Sequence, residues 1–298
     1  MLKESKKRIF TAIGAKPKHN IMHKFTLEIL FQIIGIGSAS GLMFKNNQVL
    51  VVGDNSSYFY EYNIATKTLE RHPLTENPSE NIAKKDKPDF EAVTEFEGKI
   101  YIFGSGSTEK RTKMMQLDAK TKTVEATTDL SDLYLSMQTF AELPEGDLNI
   151  EGVARKDNEW FFFNRGNGAK GKNIVFTVQG KNLTEEFNII TNEYKLPKLK
   201  GIRASFTDAV LVGDILYFLA TAENTDSTYN DGEVLGSLIG SIDTKTMKIG
   251  FTKKITNTHK FEGLTLYKET EKEISFLLCE DKDTEELKAD IFLLNLKK

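Results

Sequence analysis

Five oxygen-bearing residues recur at similar intervals along this 298-residue chain: Ser40, Glu91, Glu151, Asp208 and Glu262. Each opens a short phrase that continues with a small residue and then an aliphatic one, as in Ser40-Gly41-Leu42, Glu91-Ala92-Val93, Glu151-Gly152-Val153, Asp208-Ala209-Val210 and Glu262-Gly263-Leu264. The steps between them are 51, 60, 57 and 54 residues. If a fold gathers the four carboxylates, each like-charge pair at ~6 Å costs roughly 3 kcal/mol at an effective dielectric of ~20. Protons or a cation must offset that repulsion. All-oxygen donors select a hard divalent cation, and several carboxylates in irregular geometry suit calcium better than magnesium. No His or Cys stands in the phrases, which argues against zinc or copper. The competing reading has the same acids bonding to exposed amides of neighbouring elements and holding them together without an ion.

Strand signals set the frame for these residues. After each phrase comes a polar or glycine turn and then a second apolar strand: Gln48 to Val52, Lys99 to Phe103, Glu159 to Phe163, Ile215 to Leu219 and Glu273 to Leu278. Val, Ile, Phe and Tyr dominate them, as suits a pleated, covered surface. A polar loop and a third strand follow each hairpin. Three of the third strands end in a related turn phrase, Asn63-Ile64-Ala65-Thr66, Asp118-Ala119-Lys120-Thr121 and Asp243-Thr244-Lys245-Thr246, in which the Asn or Asp side chain caps the local backbone. A fourth, more polar strand leads out. A repeat of this length with four antiparallel strands is one propeller blade.

Five phrases predict an all-β, five-bladed β-propeller, with a six-bladed ring as the alternative. The last repeat runs out after its third strand, so Phe25 to Ile34 is expected to supply the missing outer strand and close the ring. Ser131 to Leu143 breaks the pattern, with apolar residues at helical spacing and Pro144 as a stop, and predicts a helical insert. The domain boundaries expected are a flexible leader over residues 1–24 and one propeller over 25–298.

In such a ring the phrases converge on the central channel, and the loops after the second strands surround the same end. Those loops, with Arg203 nearby, contain the candidate ligand-binding residues Asp54, Ser105, Ser107, Arg111, Asn164, Arg165, Arg203 and Glu223. Two of the loops are rich in glycine and carry Lys110 and Arg111, or Arg165 and Lys170. Glycine amides beside basic side chains can cradle an anion, although Gly, Ser and Asn are also simply good turn formers. The candidate metal ligands are Ser40, Glu91, Glu151, Asp208 and Glu262, and Glu151 is the candidate general base.

A net charge of −3 argues against nucleic acid as the main partner. The single cysteine, Cys279, excludes an internal disulfide and is expected to be a buried small hydrophobe. The apolar run from Phe25 to Ile36 carries Glu28 and Gln32 and is too short to span a bilayer, which takes ~20 residues. With no clear signal peptide, a cytoplasmic monomer is expected.

Lys87-Pro88-Asp89-Phe90-Glu91-Ala92, Gly104-Ser105-Gly106-Ser107, Asn149-Ile150-Glu151-Gly152-Val153 and Lys260-Phe261-Glu262-Gly263-Leu264 resemble a family of uncharacterised bacterial propellers. More distantly, the pattern is similar to the calcium-activated nucleotidases, five-bladed propellers whose central calcium is held by a ring reading Ser, Glu, Glu, Ser, Glu. Ser40, Glu91, Glu151 and Glu262 follow that order, with Asp208 where a serine stands. The phrasing also looks like that of esterase-like phytase propellers. The acid ring and the loops around it predict a calcium-binding propeller that is a candidate metal-dependent hydrolase of phosphoryl or carboxyl esters, acting at the channel mouth on a small anionic ligand. The alternative is a non-catalytic binding propeller with a structural ion.

Overall fold

A computed structural model describes residues 24–167, 171–180, 182–225, 232–280 and 287–298. The expected leader, apart from Lys24, and Lys170 lie outside them. Five four-stranded antiparallel sheets form the blades. Blade 1 comprises Gly41–Lys45, Gln48–Val52, Tyr58–Asn63 and Thr68–Pro73; blade 2 comprises Phe90–Phe96, Lys99–Gly104, Lys113–Asp118 and Val124–Asp129. Blade 3 runs through Ile150–Lys156, Glu159–Asn164, Asn173–Gln179 and Asn188–Tyr194, and blade 4 through Ser205–Val212, Ile215–Asn224, Glu233–Asp243 and Lys248–Lys254. Blade 5 takes Phe261–Glu269, Glu273–Glu280 and Lys288–Lys297 from the end of the chain and Phe25–Ile34 from its start.

The innermost strands touch in ring order, 1 to 2, 2 to 3, 3 to 4, 4 to 5 and 5 back to 1. The propeller therefore has five blades, and closure is made by pairing Phe25–Ile34 with Lys288–Lys297, from Phe25 opposite Leu296 to Ile34 opposite Lys288. Each interface between blades holds its own apolar core. Val52, Phe59, Phe90 and Ile102 fill that between blades 1 and 2; Phe163, Phe206 and Phe218 fill that between 3 and 4 with edge-to-face ring contacts. Cys279 is buried in the core between blades 5 and 1.

The turn phrase has the geometry its residues require. Asn63, Asp118 and Asp243 each accept two backbone N–H groups through Oδ1, at 2.8–3.1 Å, and four residues later Lys67, Lys122 and Met247 take positive φ to re-enter the next strand. The insert is a helix, α1 (Ser131–Phe140). It buries Leu133, Tyr134 and Met137 against blades 2 and 3, with Tyr134 Oη donating to Gly104 O at 2.8 Å. Among the described residues no helix is long and apolar enough to cross a membrane.

Candidate functional site

The phrases meet at the axis through a shared irregularity. In blade 2, Phe90 pairs with Gly104 and Ala92 with Phe103, so Glu91 is the extra residue of a β-bulge. Glu151 is skipped in the same way between Ile150 and Gly152, and Glu262 between Phe261 and Gly263. In blade 1, Ser40 stands just before the first paired residue, Gly41. In blade 4 the bulged residue is Thr207, and Asp208 pairs with Leu219 at the place that Ala92, Gly152 and Gly263 hold elsewhere. The structural ring is therefore Ser40, Glu91, Glu151, Thr207 and Glu262. The chain sets two oxygen-bearing residues side by side at Thr207-Asp208, and only strand register separates them.

The small residue after the bulge has a steric cause. A Cβ on Gly152 would sit 2.7 Å from Ala209 N and 3.1 Å from Asp208 Cα, and one on Gly41 would sit 3.0 Å from Glu91 O. First strands of neighbouring blades crowd there backbone to backbone, and a side chain has no room.

Asp208 is buried and its carboxylate is spent on the backbone. Its Oδ1 accepts from Ala209 N at 2.7 Å and its Oδ2 from Leu264 N at 2.6 Å, which ties blade 4 to blade 5. Burial holds its carboxyl well above the usual range despite these bonds.

The remaining acids fall into two groups. On the side of blades 3 to 5, Arg165 Nη1 donates to Glu151 Oε1 at 3.0 Å and lies 3.8 Å from Glu262 Oε1, and Nη2 donates to Glu223. Lys260 Nζ is 3.0 Å from Glu262 and 3.6 Å from Glu223. Asn149 adds a bond to Glu151 at 2.6 Å. Burial pushes the Glu151 carboxyl up, against the pull of the Arg165 guanidinium.

On the side of blades 1 and 2, the carboxylate oxygens of Asp54, Asp89 and Glu91 lie within 4.8 Å of one another. Lys87 Nζ bonds to Asp54 and lies 2.8 Å from Asp89 Oδ1. Burial weakens the Lys87 ammonium, but the surrounding charges of Glu91, Asp89 and Asp54 more than restore it. Glu91 is raised well above the usual carboxylate range, by burial first and then by Asp89, Glu151 and Asp54. Asp89 Oδ2 accepts from Ser105 Oγ at 2.5 Å, Ser107 Oγ at 3.3 Å and Arg111 Nη1 at 2.9 Å. Two oxygens in this region, Ser40 Oγ and Asp54 Oδ1, are buried without a hydrogen-bond partner.

Among the described residues, seven acids (Asp54, Asp89, Glu91, Glu151, Asp208, Glu223 and Glu262) thus stand against four cations (Lys87, Arg111, Arg165 and Lys260), a formal surplus of three negative charges. Among the described residues, the cluster offers the carboxylate oxygens of Asp54, Asp89 and Glu91, with the Ser105 and Ser107 hydroxyls and the Arg111 guanidinium bound to Asp89 and the Lys87 amine beside it. That chemistry fits a hard divalent cation.

A family model described as "Family of unknown function (DUF6929)" matches residues 35–296. The chain belongs to this family. No curated protein matches it. Among solved structures, the major Malassezia sympodialis allergen Mala s 1 superposes with a TM-score of 0.51 at 8% identity, covering 89% of this chain and 95% of that one. A luciferin-regenerating enzyme gives 0.46 at 7% identity over 91% and 95%. Myxococcus xanthus glutaminyl cyclase gives 0.44 at 13% identity over 91% and 96%. At these identities the likeness concerns the fold alone.

Of the loop residues that composition assigns to a ligand in this DUF6929 member, most turn inward. Ser105, Ser107 and Arg111 close on Asp89, Arg165 and Glu223 join the ring network, and Asp54 joins the carboxylate cluster. Asn164 is a scaffold residue: its Oδ1 accepts from Asn149 N at 2.7 Å and its Nδ2 donates to Lys172 O at 3.1 Å. Arg203 stands apart, exposed, donating to Leu196 O at 2.7 Å. Lys87, Asp89 and Lys260 belong to the site although the recurring phrase does not mark them. Strand alternation is the signal that finds two of them: two positions before the bulge the chain carries Ser38, Asp89, Asn149, Ser205 and Lys260, all polar.

Proposed function

We propose that this protein binds a divalent cation in its central channel, calcium by the donor chemistry, at the cluster of Asp54, Asp89 and Glu91 beside Ser40. One observation carries this reading: three carboxylates converge within 4.8 Å, next to buried Ser40 Oγ and Asp54 Oδ1 atoms that have no partner. With Thr207 at the fourth bulge, the ring reads hydroxyl, Glu, Glu, hydroxyl, Glu, the order to which the resemblance to calcium-activated nucleotidases points; the proposed site uses Glu91 of that ring, while Arg165 holds Glu151 and approaches Glu262. Lys87 is the resident counter-ion in this arrangement, and the arriving cation takes over its role. Calorimetric titration with calcium chloride tests the proposal. One site is expected in the wild type and none in Glu91→Gln/Asp89→Asn.

The second reading is a metal-dependent hydrolase of phosphoryl or carboxyl esters with Glu151 as general base. The raised Glu151 carboxyl favours it. A bound cation would polarise the substrate oxygen. The bonds from Asn149 and Arg165 already made to Glu151 Oε1 favour the non-catalytic form, in which the ion organises the channel. Hydrolysis of nucleoside di- and triphosphates and of generic esters, with calcium and with chelator, decides between them. Turnover lost in chelator and in Glu151→Gln supports the enzyme.

A further inference from the structure

Outside the channel, a groove of about 700 Å³ opens between blades 1 and 2, where the chain leaves the outer strand of blade 1 and crosses the third and fourth strands of blade 2. Its size lies within the ~300–1,000 Å³ range of small-ligand sites. Leu74, Phe90 and Met115 form its apolar floor, each nearly buried at 3–4% exposure. Lys110, Lys113 and Thr127 stand on its walls. The loop from Gly104 to Arg111, whose composition suits an anion, is split by the fold. Arg111 is drawn into the channel by Asp89, while Lys110 faces this groove.

We propose that the groove binds a small amphipathic anion, an apolar chain or ring with one carboxylate or phosphate head. The apolar body lies on Leu74, Phe90 and Met115, and the head meets Lys110 and Lys113. The rim also carries Glu76 and Asp86, and Asp129 faces Lys113 across the strand pair. Asp129 is bound to Ser131 and Thr112. Lys110 reaches Asp86 only at 3.4 Å, with the two side chains 72% and 52% exposed, and such surface pairs are weak and easily exchanged. Lys87 at the back of the groove is already committed to Asp54 and Asp89, so the head is assigned to the outer two lysines. Lys87 borders both the groove and the channel cluster, so the groove is tested with the channel free of added cation.

Titration calorimetry of the full chain with octanoate, octyl phosphate and 1-octanol tests the assignment. One saturable site is expected for the anions, with octanol weaker. Lys110→Ala/Lys113→Ala should weaken anion binding about fivefold, the combined effect of two exposed ion pairs, and leave octanol unchanged. Thr127→Trp, on an outer strand, should abolish binding of all three while the melting temperature holds. All titrations are run in chelator, so that Lys87 keeps its bonds to Asp54 and Asp89 and the outcome is independent of calcium in the channel. Response to one anion and not the other fixes the head group and upholds the site. Octanol binding as tightly as octanoate, octanoate binding equally to both variants, or no saturable binding at about 10 mM octanoate overturns it.

Discussion

The Arg165 guanidinium lies 3.0 Å from Glu151 Oε1, in the channel where the first strands of all five blades converge. The arginine comes from the loop after the second strand of blade 3 and the glutamate from the bulge of its first strand, and the same guanidinium reaches Glu223 of blade 4 and Glu262 of blade 5. This one side chain neutralises acids from three blades, while the carboxylates of Asp54, Asp89 and Glu91 converge on the side of blades 1 and 2.

Arg165→Met should therefore be among the most damaging single changes in the channel. Among the described residues it leaves Glu151, Glu223 and Glu262 with Lys260 as the remaining cation. Breaking a buried pair in this way costs about 3–5 kcal/mol, measurable as a shift in urea midpoint. Arg165→Lys should recover only part of the loss, because one ammonium cannot reproduce a two-pronged guanidinium. An Arg165→Met protein as stable as the wild type would show that the ion pairs contribute nothing net.

Calcium should raise the melting temperature. A ligand bound only by the folded state stabilises it by about 2.7 kcal/mol at a hundredfold excess over its Kd. Glu91→Gln and Asp89→Asn should abolish the rise, whereas Asp208→Asn should keep it, since Asp208 is bound to the amides of Ala209 and Leu264. Equal sensitivity of all three variants would put Asp208 back among the ligands.

Glu91 and Asp208 have carboxyls raised above the ordinary range in the folded protein, so between about pH 4, where free carboxylates titrate, and their folded values the native state holds more protons than the unfolded one. Stability then falls as pH rises through that window. Metal-free protein should melt at a higher temperature near pH 5 than near pH 8, and calcium should reduce the difference. Asp214 acts oppositely and elsewhere. Lys156 and Lys245 lower it to about 2, so its contribution is lost only as pH drops below about 4. A melting temperature that climbs from pH 5 to 8 without calcium would contradict the assignment to Glu91 and Asp208.

Gly152→Ala should destabilise the ring by about 1–3 kcal/mol, the usual cost of overpacking. The new methyl meets backbone atoms of Asp208 and Ala209 that cannot swing aside. Guanidinium unfolding measures the cost, and a neutral result would mean that blades 3 and 4 can separate at the axis.

The repeat is legible in the chain alone. The recurring phrase, the apolar second strands and the Asn or Asp turns are local, periodic patterns, and they suffice to predict five blades, closure by Phe25–Ile34 and the helical insert at Ser131. They suffice because each blade repeats the same local interactions and buries its faces only against its neighbours. Register and pairing, by contrast, arise only in the assembled ring. A β-bulge moves the inward position by one residue, so Thr207 rather than Asp208 joins Glu91, Glu151 and Glu262, and nothing local in Thr207-Asp208 distinguishes the two. The direction taken by Arg111 and Arg165 depends likewise on acids remote in sequence: Asp89 draws the first, and Glu151, Glu223 and Glu262 hold the second. The loops that composition suggests for binding an anion therefore turn their arginines inward, because a buried carboxylate is costly unless it is paired and a guanidinium supplies charge-assisted bonds to it.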